Sequence, residues 1–439
     1  MVNLLGHVVH RIHRPGGRHL RTFTSLSAAG LVEAIVSSLS AIVLVRLAGT
    51  EGAGQVIFAQ SVATVSLLLC DPRLENAAQR FVPLEQQRTG RGSTLFLRLF
   101  RWDVAIGLAA TGTGLAAVLA ARLSGLVTGG FALMLALAIA ARGAMAPHGA
   151  AGAAFALAGR LRVYGSLRVR CAILSFGLSS GGLLAGGPVA YLAGQVAGAL
   201  ITAVVFATLG VRALLTELGP ARGRVPLPPG LVAFTVKASS GTSVAELADS
   251  GVLTVAGVLG GPTLVTIIKI ASAPGRLYGA LTMPVASMLY PRLARAVAEG
   301  AHGTLIKRDI ARATRILAVT GAVTLVAALP FTDDALRLVY GPEYTALAAV
   351  TMLLTAAACV KALVCWSNAL ALAVGQAGRR LGYLSAEVAL LLGMLLLACR
   401  VVPGAGGASL CFAWGTLALA VLGAGVWITS ARRIIDGAR

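Results

Sequence analysis

Eleven ionisable side chains stand inside stretches of this chain that are otherwise apolar. The cations are Arg46, Arg142, Lys237, Lys269, Arg276 and Lys361, and the acids are Glu33, Asp103, Glu246, Asp249 and Glu387. A charge near the centre of a bilayer costs about 2.5–3.5 kcal/mol on insertion scales, so it faces a hydrated cavity or a partner. Cations lining such a cavity attract an anionic group, and acids there can carry a coupled ion. Lys269 and Arg276 are seven residues apart with Ser272 between them, which places all three on one helix face. With Lys361, near the middle of a later apolar stretch, they form a candidate anion site that Lys237 and Arg142 extend. Lys269 has a second reading, as the structural partner of Glu246 or Asp249. Glu33, Asp103, Glu246 and Asp249 are the candidate ion-coupling acids. Glu33 and Asp103 are spaced to meet between helices, and could instead pair with Arg46 or Arg101.

Other polar residues have plainer readings. Arg46 closes an apolar stretch and is expected to snorkel to the headgroups. Arg142 and His148 flank Pro147, which is expected to kink its helix, and either side chain can face a cavity. His148 is not read as a metal ligand. His7, His10, His13 and His19 interleave with arginines in a basic segment expected at the membrane surface. The six cysteines form no CxxC pair and lie in or beside apolar stretches, as small packing residues rather than disulfides or metal ligands. No GxxxxGK[ST] loop is present, which argues against an ATPase. No cofactor is expected.

The elements that must position these charges are membrane helices. The chain is 57% hydrophobic and 12% charged, with mean hydropathy +0.84, too little polar surface for a soluble protein of this length. Twelve spans are expected: 25–47, 53–70, 104–121, 129–155, 171–185 and 190–209, then 231–257, 263–290, 316–331, 344–374, 381–399 and 406–429. The pair from 171 to 209 requires a tight turn at Gly186, Gly187 and Pro188. Residues 1–24, with no cleavable signal pattern, form a basic cytoplasmic segment; 25–209 form a first six-helix lobe, 210–230 a cytoplasmic linker, 231–429 a second lobe and 430–439 a cytoplasmic tail. Of the 37 Lys and Arg residues, 28 fall in alternate gaps and three, Arg122, Arg337 and Arg400, in the others. That bias places both termini in the cytoplasm. It also accounts for the net charge of +21 through an anionic leaflet, without nucleic acid. The outer gaps are short, which argues against membrane glycosyltransferases, polymerases and ligases.

The chain also repeats itself. Leu47-Ala-Gly-Thr-Glu-Gly with Ala59-Gln60-Ser61 matches Val258-Leu-Gly-Gly-Pro-Thr with Ile270-Ala271-Ser272, at an offset of 211. Ala158-Gly159-Arg160 with Tyr164 and Ser166 matches Ala377-Gly378-Arg379 with Tyr383 and Ser385, at an offset of 219. Two parallel six-helix halves with a site between them is a common transporter plan.

Four segments carry a family resemblance: Val45–Gly52, Glu75–Pro83, Tyr290–Arg295 and Leu338–Tyr344. In that order they resemble the turn motifs of polysaccharide flippases, the oligosaccharide-lipid (Wzx-like) branch of the MOP exporter superfamily. The resemblance implies two lobes in a V, alternating access, and a central cavity in the inner membrane of a bacterium. It implies a non-enzymatic transporter that flips lipid-linked oligosaccharide of the undecaprenyl-pyrophosphate type. Membrane lipids would be partners, with a polysaccharide polymerase or glycosyltransferases as further candidates. Lys269, Arg276 and Lys361 would then attract the pyrophosphate. One departure is visible: Phe58 and Val65 occupy the first-half positions aligned with Lys269 and Arg276. The alternatives are a cation-coupled exporter of small amphipathic molecules, in the manner of MATE proteins, and a membrane scaffold without transport.

Overall fold

The computed structural model describes residues 18–437, leaving out 69, 72, 299–302 and 374–375. The N-terminal His7, His10 and His13 and the side chains of His19 and Lys237 lie outside the described residues. The rest is helical, with no strand among the described residues. The helices are α1 (Arg18–Leu68), α2 (Leu74–Thr89), α3 (Gly92–Leu123), α4 (Gly129–Ala144), α5 (Pro147–Leu157), α6 (Leu161–Leu218) and α7 (Leu231–Ala271). There follow α8 (Ala273–Ala298), α9 (Gly303–Ala328), α10 (Thr332–Val339), α11 (Ala348–Leu363), α12 (Trp366–Ala373), α13 (Ala377–Val401) and α14 (Ala405–Gly437).

Nine stretches among the described residues are long and apolar enough to cross a membrane, against twelve expected spans. The difference arises where three runs are continuous in hydrogen bonding but turn at glycine. Gly49 in α1 has φ 70° and ψ 179°, and Gly261 in α7 has φ 74° and ψ −178°. These near-identical angles, in the left-handed half of the map that glycine enters cheaply, fall one residue apart in the sequence repeat, since the offset of 211 aligns Gly49 with Gly260. In α6 the break is at Gly186 and Gly187, ahead of Pro188, where the sequence demanded a turn. The limbs of α6 then lie back to back. A Cβ on Gly182 would stand 2.2 Å from the Ala190 carbonyl oxygen, and one on Gly194 would stand 2.3 Å from that of Leu178. Only hydrogen at these positions permits the contact.

Other boundaries shift for local reasons. Pro147 separates α4 from α5, as expected of a residue that removes a helical N–H. The helix α3 begins at Gly92, so Arg98 and Arg101 are helical rather than in a loop. The helix α6 runs on to Leu218, which shortens the connector to 219–230. That connector is strapped to the first half: Arg98 donates to the Val225 carbonyl at 2.6 Å, and Thr94 to that of Arg222 at 3.1 Å. Two helices were not expected, α2 among the arginines and the short α10.

The largest buried cluster joins the halves, with Leu44, Val56 and Leu192 from the first and Leu264, Leu354 and Leu395 from the second. Smaller clusters lie around Phe96 and Leu214, reaching Leu231 of α7, and, within the second half, around Trp366 and Trp427. Leu108, Leu119, Leu184, Val204, Val323, Val326, Leu397 and Leu422 are exposed. So large an apolar exterior fits a protein whose solvent is lipid.

Two seams close the halves on each other. At the end away from the basic clusters, the Gly49 and Gly261 turns meet. Thr266 Oγ1 donates to the Thr50 carbonyl at 2.7 Å, and a Cβ on Gly54 would stand 2.0 Å from the Pro262 carbonyl oxygen. Thr50 also bonds the Tyr344 hydroxyl at 2.7 Å. Arg46, exposed at this end, donates to the carbonyls of Leu338 and Val339 at the end of α10, where exposed carbonyls favour a cation. Toward the basic end, Glu246 of α7 accepts from Arg73 and, at 2.8 Å, from Arg142 of α4.

Candidate functional site

Seven of the eleven intramembrane charges, Glu33, Asp103, Arg142, Asp249, Lys269, Arg276 and Lys361, line three cavities rather than one. The largest, about 620 Å³, is bounded mainly by α1, α4 and α6 of the first half and closed by Asp249, Ser250, Leu253 and Lys269 of α7. That size matches ordinary small-ligand sites. The second, about 210 Å³, lies against the junction of α1, α2, α3 and α4. The third, about 220 Å³, is enclosed by α7, α8, α11, α13 and α14 of the second half.

The large cavity is polar in two ways. Its charged part holds Glu33, Arg142, His148 and Arg168. Arg168 grips Glu33 with two nitrogens, Nε to Oε1 at 2.7 Å and a terminal nitrogen to Oε2, the fork geometry that suits guanidinium and carboxylate. Both expected partners of Glu33, Arg46 and Arg101, are thus replaced by Arg168. That residue had been placed in a cytoplasmic gap, but α6 begins at Leu161 and carries it into the wall. The neutral part is a row of side chains from three helical limbs. Gln60 Nε2 donates to Gln195 Oε1 at 2.8 Å, Gln195 Nε2 donates to the Tyr191 hydroxyl at 3.3 Å, and that hydroxyl meets Ser40 Oγ at 2.7 Å. Sequence reasoning missed this row because it followed charge. The available signal was a pair of lone glutamines in apolar spans.

Lys269 faces the same large cavity. It pairs with neither expected acid, because Glu246 is held by Arg73 and Arg142 and Asp249 lies 3.8 Å from Arg276. Among the described residues the Lys269 ammonium has no hydrogen-bond or ion-pair partner. Ser272 interrupts the helix between α7 and α8, so Lys269 and Arg276 serve different cavities instead of sharing a face.

Arg276 and Lys361 do come together, in the third cavity. Each brings its own counterion: Lys361 Nζ is 2.5 Å from Glu387 Oε1, and Arg276 has Asp249 and donates to Ser272 Oγ at 2.6 Å. Most of the other lining is apolar, including Leu354, Ala357, Ala358, Leu391 and Phe412.

Asp103 and Glu33 do not meet. Asp103 is 5% exposed and lines the second cavity with Asp71, Arg73 and Glu75. Among the described residues it has no hydrogen-bond or ion-pair partner. Arg142, Met145 and His148 line both first-half cavities and form the wall between them. The Pro147 break places His148 there. Outside the spans, burial raises the Glu75 carboxyl above its ordinary 4.5; Asp71 adds to this, while a backbone hydrogen bond and Arg73 oppose it. Among the described residues no group of three or more His, Cys, Asp or Glu is arranged to hold a metal ion.

No protein-family model matches the sequence, and no curated protein matches it either. Solved structures do. An inward-facing MATE-family multidrug resistance transporter of the MOP superfamily superposes with TM-score 0.61 at 14% identity, over 94% of this chain and 95% of that one. A MATE protein in its bent conformation gives TM-score 0.63 at 13% identity, over 96% and 97%. A MOP superfamily transporter from Pyrococcus furiosus gives TM-score 0.63 at 13% identity, over 94% and 96%. That structure is described as having a binding pocket of reverse polarity that suggests a different function. At these identities the likeness is one of fold: this chain is a multi-pass helical membrane protein built on the plan of the MOP transporters.

Proposed function

We propose that this protein is a transporter that flips lipid-linked oligosaccharide, of the undecaprenyl-pyrophosphate type, across the inner membrane of a bacterium for cell-surface polysaccharide synthesis. The observation that carries the proposal is the first-half cavity, where hydroxyls and amides share one space with Arg142, Arg168 and Lys269. Hydroxyls and amides suit a sugar, and the cations suit a phosphate. Transport by alternating access would open the Gly54–Pro262 seam and the Glu246 clasp in turn. Lys269 and, once the Glu246 clasp opens, Arg142 are the anion contacts in this scheme. Lys361 and Arg276 would join them only on parting from Glu387 and Asp249, and Lys237 is retained from its sequence position alone. Glu33, Asp103, Glu246 and Asp249 are the acids through which a coupled ion would act. Membrane lipids surround the protein, and a polymerase or glycosyltransferases would supply and consume its cargo.

A second reading, a MATE-like cation-coupled exporter of small amphipathic molecules, draws on Glu33 and Asp249 in the same cavity and on the fold likeness. Proteoliposomes separate the two. Movement of a fluorescent polyprenyl-diphosphate disaccharide between leaflets, without movement of an organic-cation dye, is the expected result. Dye export without lipid movement would replace the first reading with the second.

A further inference from the structure

On the basis of the lipid-linked-sugar function above, we infer that the row Gln60, Gln195, Tyr191 and Ser40 is a sugar subsite that reads the residue attached to the diphosphate. The diphosphate itself is held nearer the basic end.

The placement follows from helix length. At 1.5 Å rise per residue, Gln195 lies about 12 Å from the Gly187 turn and Arg168 about 28 Å from it. The same count from Gly49 puts Ser40 at about 14 Å and Glu33 at about 24 Å. The neutral row and the Arg168–Glu33 pair therefore occupy different depths of one cavity, the row toward the end away from the basic clusters. A lipid anchored in the leaflet on the basic side keeps its diphosphate at headgroup level. Its sugar projects ahead, toward the row.

The chemistry of the row fits hydroxyl groups. No member of the row is charged; Lys269, about 12 Å from the Gly261 turn by the same count, stands at the row's depth in the same cavity. The four side chains already bond one another, so the row is positioned before cargo arrives and loses little freedom on binding. Capacity is left over. Gln60 has its carbonyl oxygen and one N–H unused within the row, and Gln195 has one N–H and one lone pair. An amide offering a donor and an acceptor side by side matches two neighbouring sugar hydroxyls. Tyr191, 3% exposed, fixes the row from behind.

The test compares two probes on the full chain in detergent: a polyprenyl diphosphate carrying one N-acetylhexosamine, and the same polyprenyl diphosphate without sugar. The wild type is expected to bind the sugar-bearing probe on the order of tenfold more tightly, the equivalent of one or two net hydrogen bonds. Gln60→Leu and Gln195→Leu should abolish that preference and leave the affinity for the sugar-free probe unchanged, which also shows that the variants fold. Should either lose the sugar-free probe as well, Tyr191→Phe, which removes only a hydroxyl, decides in its place by a reduced preference. Equal affinity of the wild type for both probes, or a preference that survives these substitutions, overturns the subsite. Failure of the wild type to bind either probe overturns the proposed function instead.

Discussion

The two halves share a plan and differ in their interiors. Each opens with a hairpin at a glycine in the same conformation, Gly49 and Gly261. The first half then encloses about 620 Å³, lined by hydroxyls, amides and charges. The second encloses about 220 Å³, where charges meet mainly their own counterions among apolar side chains. A repeat therefore reproduces backbone geometry without reproducing chemistry. The first-half cavity has the attributes of a chamber and the second-half cavity those of a strut. Ion pairs in a strut hold helices in register, and half of such a pair is worse than none.

Four experiments press on that contrast. The largest effect is expected from Lys361→Met, which strands Glu387, 15% exposed. The loss should be about 3 kcal/mol, read from thermal unfolding in detergent. The double variant Lys361→Met with Glu387→Met should regain most of it. Lipid flipping by the double variant near the wild-type rate would confirm a strut, and its absence with stability restored would make Lys361 a cargo contact. Next comes Glu33→Gln, which loosens Arg168 in the chamber. Flipping should fall about tenfold while stability drops by only about 1 kcal/mol, because the Gln amide keeps a hydrogen bond with Arg168 where the carboxylate stood. An equal loss in both would erase the distinction between the halves.

Ser272→Ala removes one hydrogen bond from Arg276 and should cost about 1 kcal/mol of stability with flipping intact. The smallest effect concerns Glu75, beside the second cavity. Its carboxyl is raised in the folded protein, so the fold favours the protonated form. Stability contributed by Glu75 is present below its unfolded value and is lost as pH rises through the raised one. Glu75→Gln should flatten that slope in melting curves taken from pH 4.5 upward. An unchanged slope would remove Glu75 as its source.

Much of the scaffold was legible in the sequence. Apolar runs marked the membrane-crossing helices, glycines and Pro188 marked the α6 turn, and Pro147 marked the α4–α5 break. Each of these depends on residues within one or two helical turns. The helix α2 was not legible, because it lies among arginines with only a thin apolar stripe, Leu74, Ala77, Ala78, Phe81 and Val82. The early start of α3 was missed for a related reason: Arg98 and Arg101 marked a loop to a reading based on charge, whereas a helix at a membrane surface tolerates them.

The site divides along the same line. The sequence by itself determined that charges stood inside apolar spans and which end of the molecule is basic, since hydropathy and charge are properties of single segments. The tertiary structure alone decided their partners. Glu33 meets a residue 135 positions away, and Arg142 meets one 104 positions away. Periodicity tells which side chains share a face of one helix, but not how far the next helix is rotated or slid along its axis. Those two freedoms are set by tertiary packing, as in the close contacts of Gly54, Gly182 and Gly194 with neighbouring backbone, and that packing decides which charges become a strut and which line a chamber.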